Sequence, residues 1–123
     1  MELTGQALID FWAWYFKPET LQILKRWSAY ELRSKYKTGI KGSIAAEKIR
    51  FIALSDSEKI GVYEDWFGSV GITCGIFTYN GYDPVIYRGY VADCGTLASS
   101  KSRPEARTAE IEKANEIYNE RNK

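Results

Sequence analysis

The sequence predicts an α+β fold in which N-terminal helices precede a small antiparallel sheet that is packed by a C-terminal helix. Apolar residues recur at helical spacing before residue 69 and after residue 102, and the stretch between them is rich in β-branched and aromatic residues. At 123 residues the chain forms one domain, 1–123. Its parts are a helical segment over 1–54 and an α-β-β-(β)-α segment over 55–120, where the bracketed strand is a possible third one.

The first helix is predicted over residues 5–16, where apolar side chains follow the i, i+3, i+4, i+7 spacing of one helix face. These side chains are Leu8, Phe11, Trp12 and Tyr15. Pro18 ends this helix and opens a second one over about 19–36, since proline is tolerated in a first helical turn. A loop then leads to a short helix within residues 44–54.

A capping box predicts where the next helix begins. Ser55 and Glu58 have the S-x-x-E spacing in which a serine hydroxyl caps a helix N-terminus. The apolar row of this helix is Ile60, Tyr63 and Phe67. Gly68 is well placed to end the helix, because glycine adopts a left-handed conformation without strain.

The sheet is predicted from strand and turn signals between residues 70 and 100. Segments 70–79 and 85–94 have strand composition, and the Asn-Gly and Asp-Pro pairs between them predict a β-hairpin. Segment 95–100 predicts a short third strand at the sheet edge.

The last helix is predicted over residues 103–120, because Ser102 and Glu105 repeat the capping-box spacing. Its inward row is Ile111, Ala114 and Tyr118. Extending that row backwards by four residues at a time reaches Arg107 and then Arg103. Two guanidinium groups therefore continue the core-facing stripe towards the helix N-terminus, where the exposed N–H groups favour an anion.

This arrangement predicts a ligand site for an anion or a nucleotide. The site residues are Lys101, Ser102, Arg103 and Arg107, and a stacking wall is predicted from Tyr79, Tyr82 and Tyr87. The wall requires the three rings to lie on one side of the hairpin. The alternative is that Arg107 forms an ion pair within the fold, with Glu64, Asp65 or Asp93.

The absence of histidine excludes the Ser-His and Cys-His nucleophile pairs. With Cys74 and Cys94 as the only cysteines, a zinc site has too few good ligands, and no metal or cofactor is expected. Symmetric hairpin pairing places Cys74 opposite a residue near Tyr90, so a disulfide is not expected and both thiols are expected to be buried.

Glu64 and Asp65 are adjacent on a predicted helix and project in different directions, so one is expected in a salt bridge and the other in solvent. An enzyme that uses Glu64 or Asp65 with a lysine or tyrosine partner remains an alternative.

Positive charge is concentrated in residues 17–50, where nine basic residues and three acidic residues give a net charge of +6. This segment predicts either a solvated helix face or a nucleic-acid surface. The residues of the nucleic-acid alternative are Lys25, Arg26, Arg33, Lys35, Lys37 and Lys41. The four Trp, nine Tyr and five Phe are expected to fill the core, with a ligand site or a homodimer contact as the alternative.

Two stretches, 61–72 and 102–119, resemble segments that recur in small proteins encoded by bacteriophages and prophages, especially those of gut Bacteroidetes. They read GVYEDWFGSVGI and SRPEARTAEIEKANEIYN, and the resemblance covers roughly residues 55–120. It implies a short accessory protein in the cytoplasm of an infected or lysogenic bacterium, which counters host defence or redirects host machinery by binding. It carries over no catalytic residue.

The order helix, strands, helix over 55–120 is also similar to that of the double-stranded RNA-binding domain, whose last helix begins with basic residues. Here Lys101, Arg103 and Arg107 replace a dense lysine cluster, and the helix is acid-rich. Recognition of a duplex of about 16 bp needs more positive charge on that face.

The leading hypothesis is therefore a non-enzymatic phage accessory binding protein, an inhibitor of a bacterial defence system that occupies a host protein or sequesters a nucleotide signal. The alternatives are a nucleic-acid-binding protein that uses residues 17–50 and a structural protein of the virion. No membrane partner is expected, because no stretch approaches the ~20 apolar residues that span a bilayer. The N-terminus lacks the basic lead of a signal peptide, so a cytoplasmic location is expected.

Overall fold

The computed structural model describes residues 1–17, 47–79, 85–92 and 94–123. Its helices are α1 (Gly5–Tyr15), α2 (Asp56–Ser69) and α3 (Arg103–Arg121), and residues 47–52 form further helical turns. Its strands are β1 (Cys74–Tyr79), β2 (Ile86–Val91) and β3 (Gly95–Ser100). The α+β class, the antiparallel sheet, its third strand and the closing helix are confirmed. The predicted helix over 19–36 and the hairpin turn lie outside the described residues.

The serine N-cap of each predicted capping box is present, whereas neither glutamate accepts from the backbone N–H of its capping serine. The Ser55 hydroxyl accepts a hydrogen bond from the Glu58 backbone N–H at 3.3 Å, and the Ser102 hydroxyl accepts one from Glu105 at 3.3 Å. These caps satisfy backbone donors that a helix start leaves without an intrahelical partner. They fix the first residues of α2 and α3 where the sequence placed them.

The N-terminus of α1 has no side-chain cap of its own and is instead capped from α3. Asn115 Oδ1 accepts a hydrogen bond from the Thr4 N–H at 2.9 Å, and Asn119 Oδ1 accepts one from the Ala7 N–H at 2.9 Å. Gly5 has a φ of +62°, and a Cβ on it would lie 3.0 Å from Asn119 Nδ2. The first described helix and the last are therefore joined at their backbone and side-chain polar groups.

The core is a cluster of aromatic rings centred on Phe11, which has no exposed surface. Its ring contacts those of Trp12, Trp14, Tyr15, Phe51, Tyr63 and Trp66 at centroid distances of 5.0 to 5.9 Å. Such tilted and edge-on pairs stabilise a core beyond the burial of their area. These aromatic residues form the core, as expected from the aromatic content of the sequence.

The three strands are ordered β1-β2-β3, and both neighbouring pairs are antiparallel. Because opposite residues share a face and successive residues alternate, the register sorts the strand side chains into two faces. The inner face contains Gly89 and contacts α3. The outer face consists of Gly75, Phe77, Tyr79, Ile86, Arg88, Tyr90, Thr96 and Ser99.

The two cysteines are free. Cys74 lies opposite Val91, one residue from the predicted partner Tyr90, which confirms that Cys74 and Cys94 do not pair. The expectation that both thiols are buried is wrong for Cys94, because this residue lies in the exposed connection between β2 and β3. Within the described ranges, no helix has the length and hydropathy needed to cross a bilayer.

The close packing of α3 on the sheet depends on Gly89. A Cβ on this residue would lie 2.8 Å from the Ala106 carbonyl oxygen and 3.1 Å from the Glu110 Cβ. The helix backbone is therefore in contact with the β2 backbone at this point, and glycine is the residue that permits it. This contact positions the N-terminal half of α3 on the inner face.

We expect Gly89→Ala to destabilise the fold by about 1–3 kcal/mol, because the new methyl group overlaps backbone atoms that have no free direction in which to move. Gly61→Ala, within α2, is the matched control, since no atom lies within 4 Å of its Cβ position. That change should stabilise by about 0.5–1 kcal/mol through helix propensity. Urea denaturation measures both, and equal effects of the same sign would contradict the contact.

Candidate functional site

The predicted anion site at the start of α3 is partly occupied by the fold itself. The Ser102 hydroxyl is engaged in the helix cap, and its backbone N–H donates to Ser100 Oγ at 3.0 Å. The Glu105 carboxylate accepts from Ser100 Oγ at 2.9 Å and supplies the negative charge that the helix N-terminus favours. Lys101 and Arg103 remain exposed.

The side chain of Arg107 extends from α3 to α2, where it binds two polar residues, Ser57 and Glu64. Its Nη2 donates to Glu64 Oε1 at 2.9 Å, and its Nη1 donates to Ser57 Oγ at 2.9 Å. The side chains of Arg107 and Glu64 are 13% and 24% exposed, so this ion pair is shielded from much of the solvent. The alternative in which Arg107 pairs within the fold is therefore the observed arrangement.

The adjacent acidic residues Glu64 and Asp65 of α2 have different environments, as expected. Glu64 forms the salt bridge, whereas Asp65 is exposed. The two adjacent carboxylates therefore do not face a common site.

A carboxyl pair between α2 and α3 is the feature that the sequence interpretation missed. Glu110 is 0% exposed, and neither of its carboxyl oxygens has a donor from another group. Burial, a side-chain hydrogen bond with Glu64 and the charge of Glu64 together raise the pKa of Glu110 to about 9, although Arg107 and Arg103 oppose the shift. Glu110 is thus protonated at neutral pH and donates to Glu64, while Arg107 neutralises Glu64.

Helical spacing was the signal that could have found this pair. Glu110 lies three residues after Arg107 and four residues before Ala114, so it falls on the same inward stripe. The stripe holds Arg107 at one position and Glu110 at the next, and both meet Glu64 of α2.

The thiol of Cys74 is near this pair and is not a nucleophile in this state. Burial, followed by the charges of Glu110 and Glu64, raises the pKa of Cys74 to about 12. A thiol is reactive as a thiolate, so Cys74 is inert at neutral pH. Because Glu110 has no exposed surface, a substrate has no access to it in this conformation.

The outer face of the sheet presents aromatic rings and a cation together. Phe77 and Tyr79 are 47% and 39% exposed, and they lie two residues apart on β1. Arg88 lies directly opposite Phe77 in the register. Among the described residues, no carboxylate forms an ion pair with Arg88.

Tyr90 extends this face next to Phe77. The two ring centroids are 4.7 Å apart and the rings are inclined by 31°, which approaches a stacked arrangement. The Tyr90 ring covers Gly75, where a Cβ would lie 2.9 Å from ring atoms. Glycine therefore allows the tyrosine ring to lie against the strand, and the ring in turn supports Phe77.

The predicted tyrosine wall does not form from Tyr79 and Tyr87. Tyr79 pairs with Ile86 and Tyr87 pairs with Thr78, so the two tyrosines point to opposite faces of the hairpin. Spacing along the chain could not reveal this, because the face depends on the register of the hairpin. Tyr82 lies outside the described residues.

The basic residues of the nucleic-acid alternative also lie outside the described residues: Lys25, Arg26, Arg33, Lys35, Lys37 and Lys41. Three cations of the 17–50 segment lie in the described ranges: Lys17, Lys48 and Arg50. Lys48 Nζ lies 5.4 Å from the centre of the Trp12 ring and 5.9 Å from that of Phe16, in a cation–π contact with α1.

A concave surface lies between the N-terminal residues and α3. It has a volume of about 270 Å³ and is lined by Met1, Glu2, Thr4, Ile111, Glu112 and Asn115. Two carboxylates at its rim disfavour an anionic ligand. In the part of the chain that the structure describes, no group of three or more acidic or cysteine side chains is arranged to hold a metal ion.

Comparison of the chain with known protein families, with curated proteins and with solved structures finds no match. The function is therefore inferred from the geometry of these residues.

Arg107 and Arg103 are expected to differ in their effect on stability. Arg107→Ala leaves the Glu64 carboxylate without its cation beside Glu110, and should cost about 1.5–3 kcal/mol. Arg103→Ala removes an exposed side chain and should change stability by no more than about 0.5 kcal/mol. Chemical denaturation of the two variants measures the difference. Equal stabilities would show that Arg107 is not a structural ion-pair partner.

Glu110→Gln is expected to change the pH dependence of stability. Because the pKa of Glu110 is raised from 4.5 to about 9 in the folded protein, folding takes up a proton between these values. The stabilisation is full below about pH 4.5 and is lost as the pH rises towards 9, by on the order of 1 kcal/mol per pH unit. The amide of the Glu110→Gln variant does not titrate. The stability of this variant relative to the wild type should therefore increase as the pH rises.

The measurement is urea denaturation of both proteins at about pH 5 and about pH 8, since the difference between them reports the titration of Glu110 together with its partner Glu64. Glu112→Gln is the control, because Glu112 is exposed on the same helix. Stability curves of wild type and Glu110→Gln that run parallel across this range would contradict a buried, protonated Glu110.

Proposed function

We propose that this protein is a non-catalytic binding protein that holds a nucleotide-like ligand on the outer face of its sheet. The observation behind the proposal is the combination, on one face, of two exposed rings with a cation that has no ion-pair partner among the described residues. Phe77 and Tyr79 supply the rings, and Arg88 lies directly beside Phe77. A nucleotide has the two matching parts, a planar base and an anionic phosphate.

The two rings support this proposal because exposed aromatic side chains on a sheet are surfaces on which bases stack. Stacking of a base on an aromatic side chain contributes about 1–3 kcal/mol and tolerates any base, since every base has a π face. Phe77 is held by its contact with Tyr90 at 4.7 Å. A ring that is already positioned loses little side-chain freedom when a ligand binds.

The charge on the outer face of the sheet favours an anionic ligand over a neutral one. The outward-facing residues of the three strands include one arginine and no acid. A guanidinium group binds phosphate through two parallel hydrogen bonds. The hydroxyl of Ser99 lies opposite Arg88 on β3 and adds a further donor.

The resemblance to phage-encoded accessory proteins gives this site a biological setting. In that setting, the protein acts in the cytoplasm of the bacterial host and sequesters a nucleotide signal of a defence system. The same face could instead bind a host protein, and nucleotide titration separates these two cases. The site at the start of α3 is a weaker candidate, because Ser102 and Arg107 are already engaged within the fold.

Phe77→Ala is expected to weaken the binding of nucleoside monophosphates by about 1–3 kcal/mol, because it removes the stacking surface beside Arg88. Tyr79→Ala is expected to have a smaller effect, since a single base occupies one ring. Ile9→Ala is the matched control, since Ile9 is an exposed apolar residue on α1 and is 63% exposed. Calorimetric titration with the four common nucleoside monophosphates is the measurement. An affinity of Phe77→Ala equal to that of Ile9→Ala would contradict the proposed site.

A further inference from the structure

We infer that the ligand of the outer face is single-stranded nucleic acid and not a mononucleotide. This inference rests on the proposed function, because it assumes that the outer face binds bases. It is carried by the spacing of the rings and by the order of side chains across the strands.

The spacing of the two rings fits two bases. Phe77 and Tyr79 are two residues apart on one face of an antiparallel strand, which corresponds to about 6.8 Å along β1. Bases that stack on one another in a helix are about 3.4 Å apart. Two bases that each lie on their own ring are thus separated from one another, as in an extended single strand. A mononucleotide would leave one ring in water.

The order of side chains across the sheet fits a nucleotide backbone. The register places Phe77 of β1, Arg88 of β2 and Ser99 of β3 in one row across the outer face. The row therefore places a guanidinium group and a hydroxyl beside the ring, and these two groups suit the phosphate and the sugar that are attached to a base on Phe77. Lys101 follows the end of β3, is exposed, and extends the positive charge beyond this row.

A duplex and a second copy of this chain fit the face less well. Bases in a duplex are paired and stacked, so they are not free to lie on Phe77 and Tyr79. Two copies packed through this face would bring their Arg88 side chains close together. The outward-facing residues of the strands include no acid that would neutralise the repulsion between these two charges. A single strand presents free bases and negative charge together.

The experiment is a titration of the full chain with oligothymidylates of one, two, four and eight nucleotides, followed by calorimetry or by fluorescence. We expect the affinity to rise by about fivefold or more between one and two nucleotides, because the second base meets the second ring. Phe77→Ala and Tyr79→Ala should each lose this gain, and Ile9→Ala should keep it. Arg88→Gln should lower the slope of log affinity against log salt by about 0.7, the value for one phosphate on a single strand.

Phe77→Tyr keeps a ring at this position and should retain the affinity of the wild type, so it separates stacking from a loss of folding. Equal affinity for one and for eight nucleotides would overturn the inference and leave the proposed function standing. Tighter binding of a duplex of 16 bp than of the single strand would also overturn it. Absence of binding to every nucleotide and oligonucleotide would remove the proposed function as well. Self-association through this face, detected as a dimer that Phe77→Ala dissolves, would favour a second copy as the occupant.

Discussion

The contact between the backbones of α3 and β2 at Gly89 is the constraint on which the rest of the structure depends. Because no Cβ separates them, α3 lies so close to the inner face that Glu110 is enclosed and Arg107 reaches α2. The Arg107–Glu64 ion pair and the Glu110–Glu64 carboxyl pair join α2 and α3 at Glu64. Buried charged groups of this kind add little net stability, because the cost of removing them from water offsets their mutual attraction. They do destabilise other arrangements of the two helices, in which these groups would be buried without partners.

The sheet consequently has two different faces. Helix α3 covers the inner face and α2 contacts β1, whereas the outer face presents Phe77, Tyr79 and Arg88 to solvent. The core needs neither of these rings, because Phe11 and its aromatic neighbours already form it. Exposed aromatic residues lower solubility, and Phe77 and Tyr79 lie outside the core beside an arginine that has no ion-pair partner among the described residues, which is why they point to a ligand.

Most of the fold could be predicted because its signals are local. The capping boxes at Ser55 and Ser102 and the strand composition on both sides of the hairpin turn each act within a few residues. The position of Arg107 on the inward-facing stripe of α3 also led to the correct alternative, an ion pair with Glu64 within the fold. What could not be predicted depends on contacts between distant segments. The face of Tyr87 depends on hairpin register, and the outer-face site requires Arg88 of β2 to lie beside Phe77 of β1. The protonated state of Glu110 depends on α2 lying over it.

The asparagine caps on α1 have a consequence for the order of events during synthesis. The backbone donors of Thr4 and Ala7 are satisfied by Asn115 and Asn119, which are made more than 100 residues later. A short helix with open N–H groups is marginal by itself. Helix α1 therefore gains its caps only after α3 has been made, so contacts of high sequence separation are needed before the native structure forms.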